Sequence, residues 1–432
     1  MLAGGLGTRM HSATAKHFHP LLGRRLVDWV VEAARGVGAD PVVVVASPDG
    51  SAAFNGVEVA VQAEPLGTGD ALRSARAALA GVEGDLLVLS GDTPALSSEL
   101  LAQLLETHRR EGATATVLSF RPPDPRQYGR VIRDGTGAVR EIVEAVDATP
   151  EQLAVDEVNS SIYVFAADRV WPALEQLEAG NRQGELYLTD AVRNLVDNGD
   201  RVAAFLAPDP IETEGVNTRA ELAAAAAALR DRINHAHMLA GVTIVDPGTT
   251  WIEPEVELEA DSTIEPFTVL KGRTRVGANA VVGPHVVAVD AVIGPGATVG
   301  PFCYLRPGTV LEAGAKAGTF VEIKNSHIGE GAKVPHSSYI GDADVGAGAN
   351  VAAGNITGNY PHQPGRPKGR TTIGRNVRTG IHNSFVAPVE IGDNAWVAAG
   401  SVVTEDVPPG ALAIARAKQT NKEGYADRSD DD

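Results

Sequence analysis

VGANAVVGPHVVAVDAVIGPGATVG, residues 276–300, decides the fold of the C-terminal half of the chain. Pairs of an aliphatic residue and a glycine recur in it: Val276-Gly277, Val282-Gly283, Ile293-Gly294 and Val299-Gly300. The same pairs continue downstream as Ile328-Gly329, Ile340-Gly341, Val345-Gly346, Ile373-Gly374 and Ile391-Gly392. Their spacing falls on multiples of roughly six residues, the mark of a β-helix in which each hexapeptide forms one side of a coil. The aliphatic residue points inward and stacks on its copies above and below. Glycine and small residues take the corners, where positive φ or close backbone approach is required. A flexible Gly-rich linker would lack this aliphatic period. The repeat region is placed at residues 241–424, with 425–432 (ending DRSDDD) a frayed acidic tail.

Working outward, residues 220–240 include the Ala-rich run ELAAAAAALRDRINHAHML, which has neither Gly nor Pro and reads as a helical connector. Upstream, residues 1–219 alternate between two kinds of segment. PVVVVAS (from Pro41) and DLLVLSGD (from Asp85) are apolar runs of buried-strand type. LVDWVVEAARGVG and GDALRSARAALAG read as helices. The alternation implies a parallel sheet covered by helices on both faces.

The whole chain bounds the function. Its 432 residues exceed one ordinary core and suggest two or three domains. A formal charge of −18 argues against a general nucleic-acid binder, though a few local cations would still hold small phosphorylated substrates. Cys303 is the one cysteine, so no intramolecular disulfide is possible and a reducing compartment fits. No run of apolar residues is long enough for a membrane span, and MLAGGLGTRM lacks the form of a signal peptide. A cytoplasmic location without membrane partners is the expectation.

LAGGLGTRM, residues 2–10, is a Gly-rich turn running into Thr8 and Arg9. Glycines let backbone N–H groups approach phosphate oxygens, and Arg9 can grip them in bidentate fashion. Taken alone, such a loop is weak evidence, more often an ordinary turn than a phosphate cradle. With VQAEPLGTGDA, LSGDTP, YGRV, EIVEAVDA, EVNSSIYVF and EGVNTR following in order, it resembles the signature of sugar-nucleotide pyrophosphorylases. That resemblance implies a nucleotide and sugar site formed by Leu2, Gly4, Gly5, Arg9, Lys16, Gln62, Gly67, Thr68, Gly129, Glu144, Asn159 and Asn217. It assigns Lys16 to substrate phosphate, Gln62 and the Gly67-Thr68 turn to the uracil base, and Gly129, Glu144 and Asn159 to the sugar. It further implies that Asp92 and Asn217 hold Mg²⁺, a cation suited to few protein oxygens plus water and phosphate. Asp92 alone could instead cap a helix, and Asn159 or Asn217 anchor a turn.

The repeat region carries Arg306, Lys324 and Lys368, three cations, together with His336 in VPHSSYIGDA. Such cations can receive a sugar phosphate, and a nearby imidazole can take a proton from an amine. A lone histidine in a coil is more often structural. Over roughly residues 1–425, both halves resemble the bacterial bifunctional family of N-acetylglucosamine-1-phosphate uridylyltransferase/glucosamine-1-phosphate N-acetyltransferase. The resemblance implies an α/β nucleotidyltransferase (Rossmann-like) domain followed by a left-handed parallel β-helix of hexapeptide repeats. It implies synthesis of UDP-N-acetylglucosamine, with acetyl-CoA and UTP as co-substrates. By the same resemblance His336 is the general base, and Arg306, Lys324, Tyr339, Asn350 and Lys368 hold glucosamine 1-phosphate. Ala353, Asn359, Tyr360, Ala399 and Arg416 contact acetyl-CoA. The family's β-helices form homotrimers, with acetyl-transfer sites between subunits.

Departures from the family pattern are also plain. Leu6 replaces a loop lysine and Gly4 an alanine, Ile381 stands where serine is usual, and NYPHQPGRPKGRT is longer than the family's loop. The chain begins at Met1-Leu2, so most of the expected first strand is missing; either the start lies upstream or the central strand is lost. Three alternatives therefore stand beside a bifunctional enzyme: an acetyltransferase with a degenerate first domain, a nucleotidyltransferase whose β-helix only assembles, and a non-catalytic scaffold.

Overall fold

The computed structural model describes residues 1–5, 7–125, 127–361 and 365–427. The Leu6 substitution, part of the long loop and residues 428–432 of the acidic tail lie outside the described residues. The chain divides into two compact units, Met1–Leu229 and Arg230–Asp432.

In the first unit the strands Leu2–Ala3, Val43–Ala46 and Glu58–Val61 pair in parallel. Leu2 also bridges to Ser90, just past the strand Asp85–Val88. Beyond that point the expected parallel order gives way to a mixed sheet. Val158–Ala166 runs antiparallel to Asp85–Val88 and to Ala115–Phe120, and Val202–Leu206 closes the edge in parallel with Ala115–Phe120. Arg130–Arg133 and Val139–Val143 form an antiparallel pair beside it. Both faces are covered, because these strands bury residues on either side. One face packs Leu118, Phe120 and Val164 on Val30, Leu101 and Leu104 of the helices Leu26–Gly36 and Ser98–Glu111. The other packs Val117 and Phe165 on Leu174, Leu188 and Val192.

Two local expectations need correction. The run from Gly69 to Gly81 is helical only over Thr68–Ser74; beyond it the chain turns, burying Ala75 and Leu79. Tertiary burial here overrides a high alanine propensity. The first strand, short as it is, still forms: Leu2 donates its N–H to Leu89 O at 2.8 Å and accepts from Gly91 at 2.9 Å. The Met1 amine is buried against Val43 O at 2.8 Å, and burial pushes its pKa down to about 5. Beside it an apolar cavity of about 50 Å³ is lined by Met1, Val43, Leu72, Leu86 and Val88.

The helix Arg219–Leu239 begins one residue earlier than the connector was expected to. Its N-terminal half buries Ala225 and Leu229 against Leu21 and Val216. In the second unit, Asn234 donates to Pro247 O and Thr250 O at 3.0 and 2.9 Å, tying the helix end to the first coil.

The second unit is a β-helix with three parallel ladders, one per face. The first runs from Thr243–Ile244 to Lys333–His336 and resumes at Arg378–Thr379; the second runs from Trp251–Ile252 to Val402–Val403, and the third from Glu257–Leu258 to Val389–Ile391. Side chain and backbone partners in adjacent coils stand 17 or 18 residues apart. The aliphatic members of the repeat form one continuous buried column, including Val276, Val282, Ile293, Val299, Ile328, Ile340, Ile373 and Ile391. The following glycines are demanded mostly by close approach: a Cβ on Gly277 would lie 2.7 Å from Pro295 N of the next coil. Parallel strands buried on one side and stacked coil on coil make the core one-dimensional, so each coil is stabilised chiefly by its neighbours.

One corner column has a second feature. Phe267, His285, Phe302 and Phe320 stack with ring centroids 4.7, 4.9 and 5.2 Å apart. All four have left-handed φ (55–58°) and stand exposed on the surface. Among the described residues, no helix is long and apolar enough to cross a membrane.

Candidate active sites

The first site is assembled where the strand Leu2–Ala3 ends. Gly4 and Gly5 lead to Gly7, whose φ of 63° opens a short turn at Thr8–Met10. A Cβ on Gly7 would sit 2.5 Å from Lys16 Cβ, so only glycine lets the loop fold over Lys16. Lys16 starts the turn Lys16–Phe18 and donates through its ammonium to the Asp92 carboxylate and to Asn217 Oδ1, the latter at 3.0 Å. Arg9 donates to the same Asn217 oxygen at 2.9 Å. Ser90 donates to the other Asp92 oxygen at 2.6 Å. The Asn217 and Thr218 amides donate to Glu221 Oε2 at 2.8 and 2.9 Å, fixing the turn that aims Asn217. Arg9, Lys16, Asp92 and Asn217 thus converge from distant parts of the chain.

Burial alone would raise the Asp92 carboxyl, but the Lys16 charge and the hydrogen bonds from Lys16 and Ser90 outweigh it. The group is held below the usual carboxylate range and stays ionised. Among the described residues there is no cluster of three or more His, Cys, Asp or Glu side chains arranged for a metal. The Asp92–Asn217 pair nevertheless fits Mg²⁺. Two oxygens already focus on one cation, the Lys16 ammonium, and magnesium characteristically takes few protein ligands, completing its shell with water and phosphate.

Next to this cluster, Gln62 is buried, its amide donating to Gly67 O at 3.1 Å and Asp70 Oδ2 at 3.0 Å. A Cβ on Gly4 would lie 3.0 Å from Gln62 Oε1, so the glycine loop and the Gly67-Thr68 turn meet at this side chain. Thr68 accepts from the Leu188 amide at 3.0 Å. Gly129, Glu144 and Asn159 form a third group. A Cβ on Gly129 would stand 3.4 Å from Glu144 Oε2, and the Asn159 backbone N–H donates to Gly129 O at 2.8 Å. Burial pushes the Glu144 carboxyl up, assisted by Asp190, Asp147 and Glu185. A polar cavity of about 670 Å³ opens there, lined among others by Glu144, Asp147, Tyr187, Thr189 and Asp190.

Sequence reasoning missed three contributors. Tyr128, next to Gly129, lies against the Gly215 backbone and within the field of Asp92. Thr189 donates to Glu144 Oε1 at 3.2 Å. His17, adjacent to Lys16, is buried between Gly5 and Gly91. Burial lowers its pKa to about 4; the Asp92 charge partly opposes this, and Lys16 adds to it. Only its position beside Lys16 could have drawn attention to it.

The second site lies on the β-helix. Tyr304, Glu322 and Tyr339 are register partners on the second ladder, and Lys324 is paired with Gly341. Arg306 follows this ladder's strand Tyr304–Leu305 and pairs with Glu322 at 2.8 Å. The ammonium of Lys368 stands 5.0 Å from the Tyr360 ring centre and beside Lys324. Contact with Lys368 and its charge, then desolvation and Arg306, push the Lys324 ammonium below its ordinary value, while Asp342 opposes this. Three cations therefore crowd together with one buried carboxylate, an arrangement that favours capture of a dianion. The longer loop does not displace Lys368 from this group.

His336 ends a strand of the first ladder, one corner before Tyr339, and its imidazole is exposed with no hydrogen-bond partner among the described residues. Ala353 accepts from the His382 amide at 2.8 Å in the corner above. The Gly400 amide donates to Ile381 O at 2.9 Å, and Arg416 reaches the same corner near Gly400. Ile381 is half-exposed there, next to Ala399. Asn359 is buried with its amide committed to Asp342, and Tyr360 is largely exposed. Not all of the expected residues meet. Asn350 bridges Lys333 and Arg378 on the first ladder, a different face from Arg306 and Lys324.

Comparison with known proteins bears on both units. A family profile, the MobA-like NTP transferase domain, matches residues 1–194. A curated relative from Streptomyces avermitilis, the bifunctional protein GlmU, is 47% identical and covers 99% of this chain and 93% of its own length. Relatives of the same name from Thermobifida fusca and Thermoanaerobacter pseudethanolicus are 45% and 44% identical, covering 99% and 98% of this chain and 93% and 96% of their own.

Proposed function

The chain belongs to the GlmU family of bifunctional proteins, and on that premise we propose how its two units divide the work. The protein is an N-acetylglucosamine-1-phosphate uridylyltransferase and a glucosamine-1-phosphate N-acetyltransferase, and its product is UDP-N-acetylglucosamine. The observation that carries the division is the presence of two separate polar clusters, Arg9–Lys16–Asp92–Asn217 in the first unit and Arg306–Lys324–Lys368 with His336 in the second.

In the first unit, Lys16, Arg9 and the loop amides around Leu2, Gly4 and Gly5 hold phosphate oxygens. Gln62, Gly67 and Thr68 hold the uracil of UTP; Gly129, Glu144 and Asn159 hold the sugar. Asp92 and Asn217 would hold Mg²⁺, which supplies positive charge that offsets the build-up on the triphosphate. The residues' own contribution is to line up the sugar phosphate with the α-phosphorus and to hold the pyrophosphate as it leaves.

In the second unit, Arg306, Lys324 and Lys368 take the phosphate of glucosamine 1-phosphate, aided by Tyr339 and Asn350. His336 removes a proton as the 2-amino group attacks the thioester carbonyl of acetyl-CoA, and CoA leaves as its thiolate. Ala353, Asn359, Tyr360, Ala399 and Arg416 seat the coenzyme. The residues assigned to one sugar lie on two faces of a convex prism, whereas a substrate site must be concave. A homotrimer satisfies both conditions, since a neighbouring copy walls the corner where His336 projects. The exposed aromatic stack below that corner supplies an apolar contact surface for it.

The test is an assay of both half-reactions on purified protein. Asp92→Ala should abolish uridylyl transfer and spare acetyl transfer; His336→Ala should do the reverse. Loss of both reactions in either variant would overturn the division.

A further inference from the structure

Asp342 is buried at a coil corner in left-handed conformation, with φ of 49°. Its two carboxylate oxygens are taken by two different coils: Asn325 donates to one and Asn359 to the other. Its backbone carbonyl accepts from Thr371 N at 3.1 Å, and Gly369 N donates to Asn359 O at 3.0 Å. Asn359 and Thr371 are the two ends of the long loop that carries Lys368. One residue therefore fastens both ends of that loop, through its side chain at one end and its main chain at the other. The charged groups facing the carboxylate are Lys324, Lys368 and Arg370. Burial alone would raise the carboxyl, yet the amides of Asn325 and Asn359 and then the charges of Lys368 and Lys324 hold it below the usual range.

Lys324 and Lys368 stand side by side and repel each other, and Arg306 adds to the repulsion. Against that repulsion, Lys368 is held by the Tyr360 ring and by the charge of Asp342. We propose that Asp342 is the positioning residue of the acetyl-transfer site, pinning the 359–371 loop and balancing the paired lysines so that the phosphate pocket is formed in advance. The inference rests on the reading of Arg306, Lys324 and Lys368 as a phosphate site. It acts on substrate only through Lys324, Lys368 and Asn359, and pre-organisation of this kind stabilises binding by removing an ordering cost.

Asp342→Asn in the full chain is the informative variant, because asparagine tolerates the left-handed conformation and keeps the shape of the side chain. The expected result is a KM for glucosamine 1-phosphate raised about tenfold with kcat within about threefold. The alkaline limb of kcat/KM should move to lower pH, because the carboxylate that favours the charged form of Lys324 is gone. Uridylyl transfer and the melting curve should match the parent protein. A parent-like KM and alkaline limb in the variant would overturn the positioning role. So would a loss of kcat that merely tracks a loss of folded protein. Calorimetric titration of the unsubstituted protein with glucosamine 1-phosphate separates the two levels: no binding there sinks the phosphate-site reading itself, and binding that Asp342→Asn leaves unchanged sinks only the inference drawn from it.

Discussion

Lys16 and Asp92, 76 positions apart in the chain, form an ion pair whose side chains are only 11% and 14% exposed, and the same ammonium also serves Asn217. Removing one member of such a pair strands the other charge in a poorly solvated place. Lys16→Met should therefore destabilise the first unit by about 3 kcal/mol. Magnesium offers Asp92 a replacement cation, so it should raise the melting temperature of Lys16→Met more than that of the parent. Equal magnesium effects on the two proteins would count against Asp92 as a ligand.

His17 gives the first unit a pH dependence of known sign. Its folded pKa is about 4 against 6.5 when free, so between these values the unfolded chain binds more protons. The His17 contribution to stability should then rise with pH across that window and level off above it, by about 3 kcal/mol in all. His17→Asn should flatten the slope. The measurement is the melting temperature of the transition that UTP shifts, followed from pH 4 to pH 7. An unchanged slope in the variant would assign the effect elsewhere.

His336→Ala should cut acetyl transfer by about 10² to 10⁴-fold, the usual contribution of a positioned base. Because the imidazole is exposed and unpartnered among the described residues, the melting temperature should hold. Lys324→Ala should instead raise KM, since it removes the proposed phosphate contact and leaves the proposed proton acceptor in place. Single-turnover acetylation and a melting curve on one sample decide the matter. A structural histidine would lower stability and leave the folded fraction active.

Phe302→Glu combined with Phe320→Glu places two charges in the exposed aromatic stack. Both residues already sit at the surface, so the fold should persist, while sedimentation should shift from the proposed trimer to monomer. Acetyl transfer should fall with the assembly, and uridylyl transfer should continue. Unchanged sedimentation would remove the stack from the contact.

Much of this was legible in the sequence, for reasons that differ by region. In the β-helix each buried position recurs, so Val276, Ile293 and Ile340 announce their environment by spacing alone. The direction of Val158–Ala166 was not legible, because a strand's partners leave no local mark. Its bulge between Asn159 and Ile162, with Ser161 at φ of 62°, is equally silent. The charged cluster of the first site could be named residue by residue from motif order. Asp342, His17 and Tyr128 could not, since each acts through neighbours that only folding supplies. The aromatic stack lies between. Phe267, Phe302 and Phe320 are ordinary residues until the coil length aligns them.

The register of the second ladder has a consequence for how such a chain tolerates change in length. Tyr339 pairs with Ile356, and Ile356 with Ser384, although the loop around Lys368 intervenes only in the second step. The extra residues leave at a corner and return to it, so the ladder advances by one strand spacing, about 4.8 Å, as at any other step. The body works as a ratchet that admits whole turns and shunts every fraction of a turn outside. Insertions and deletions at corners are thereby uncoupled from the alignment of everything downstream. New side chains can be delivered beside an existing cluster, as Lys368 is beside Lys324, while Ala399 and Arg416 downstream keep their places.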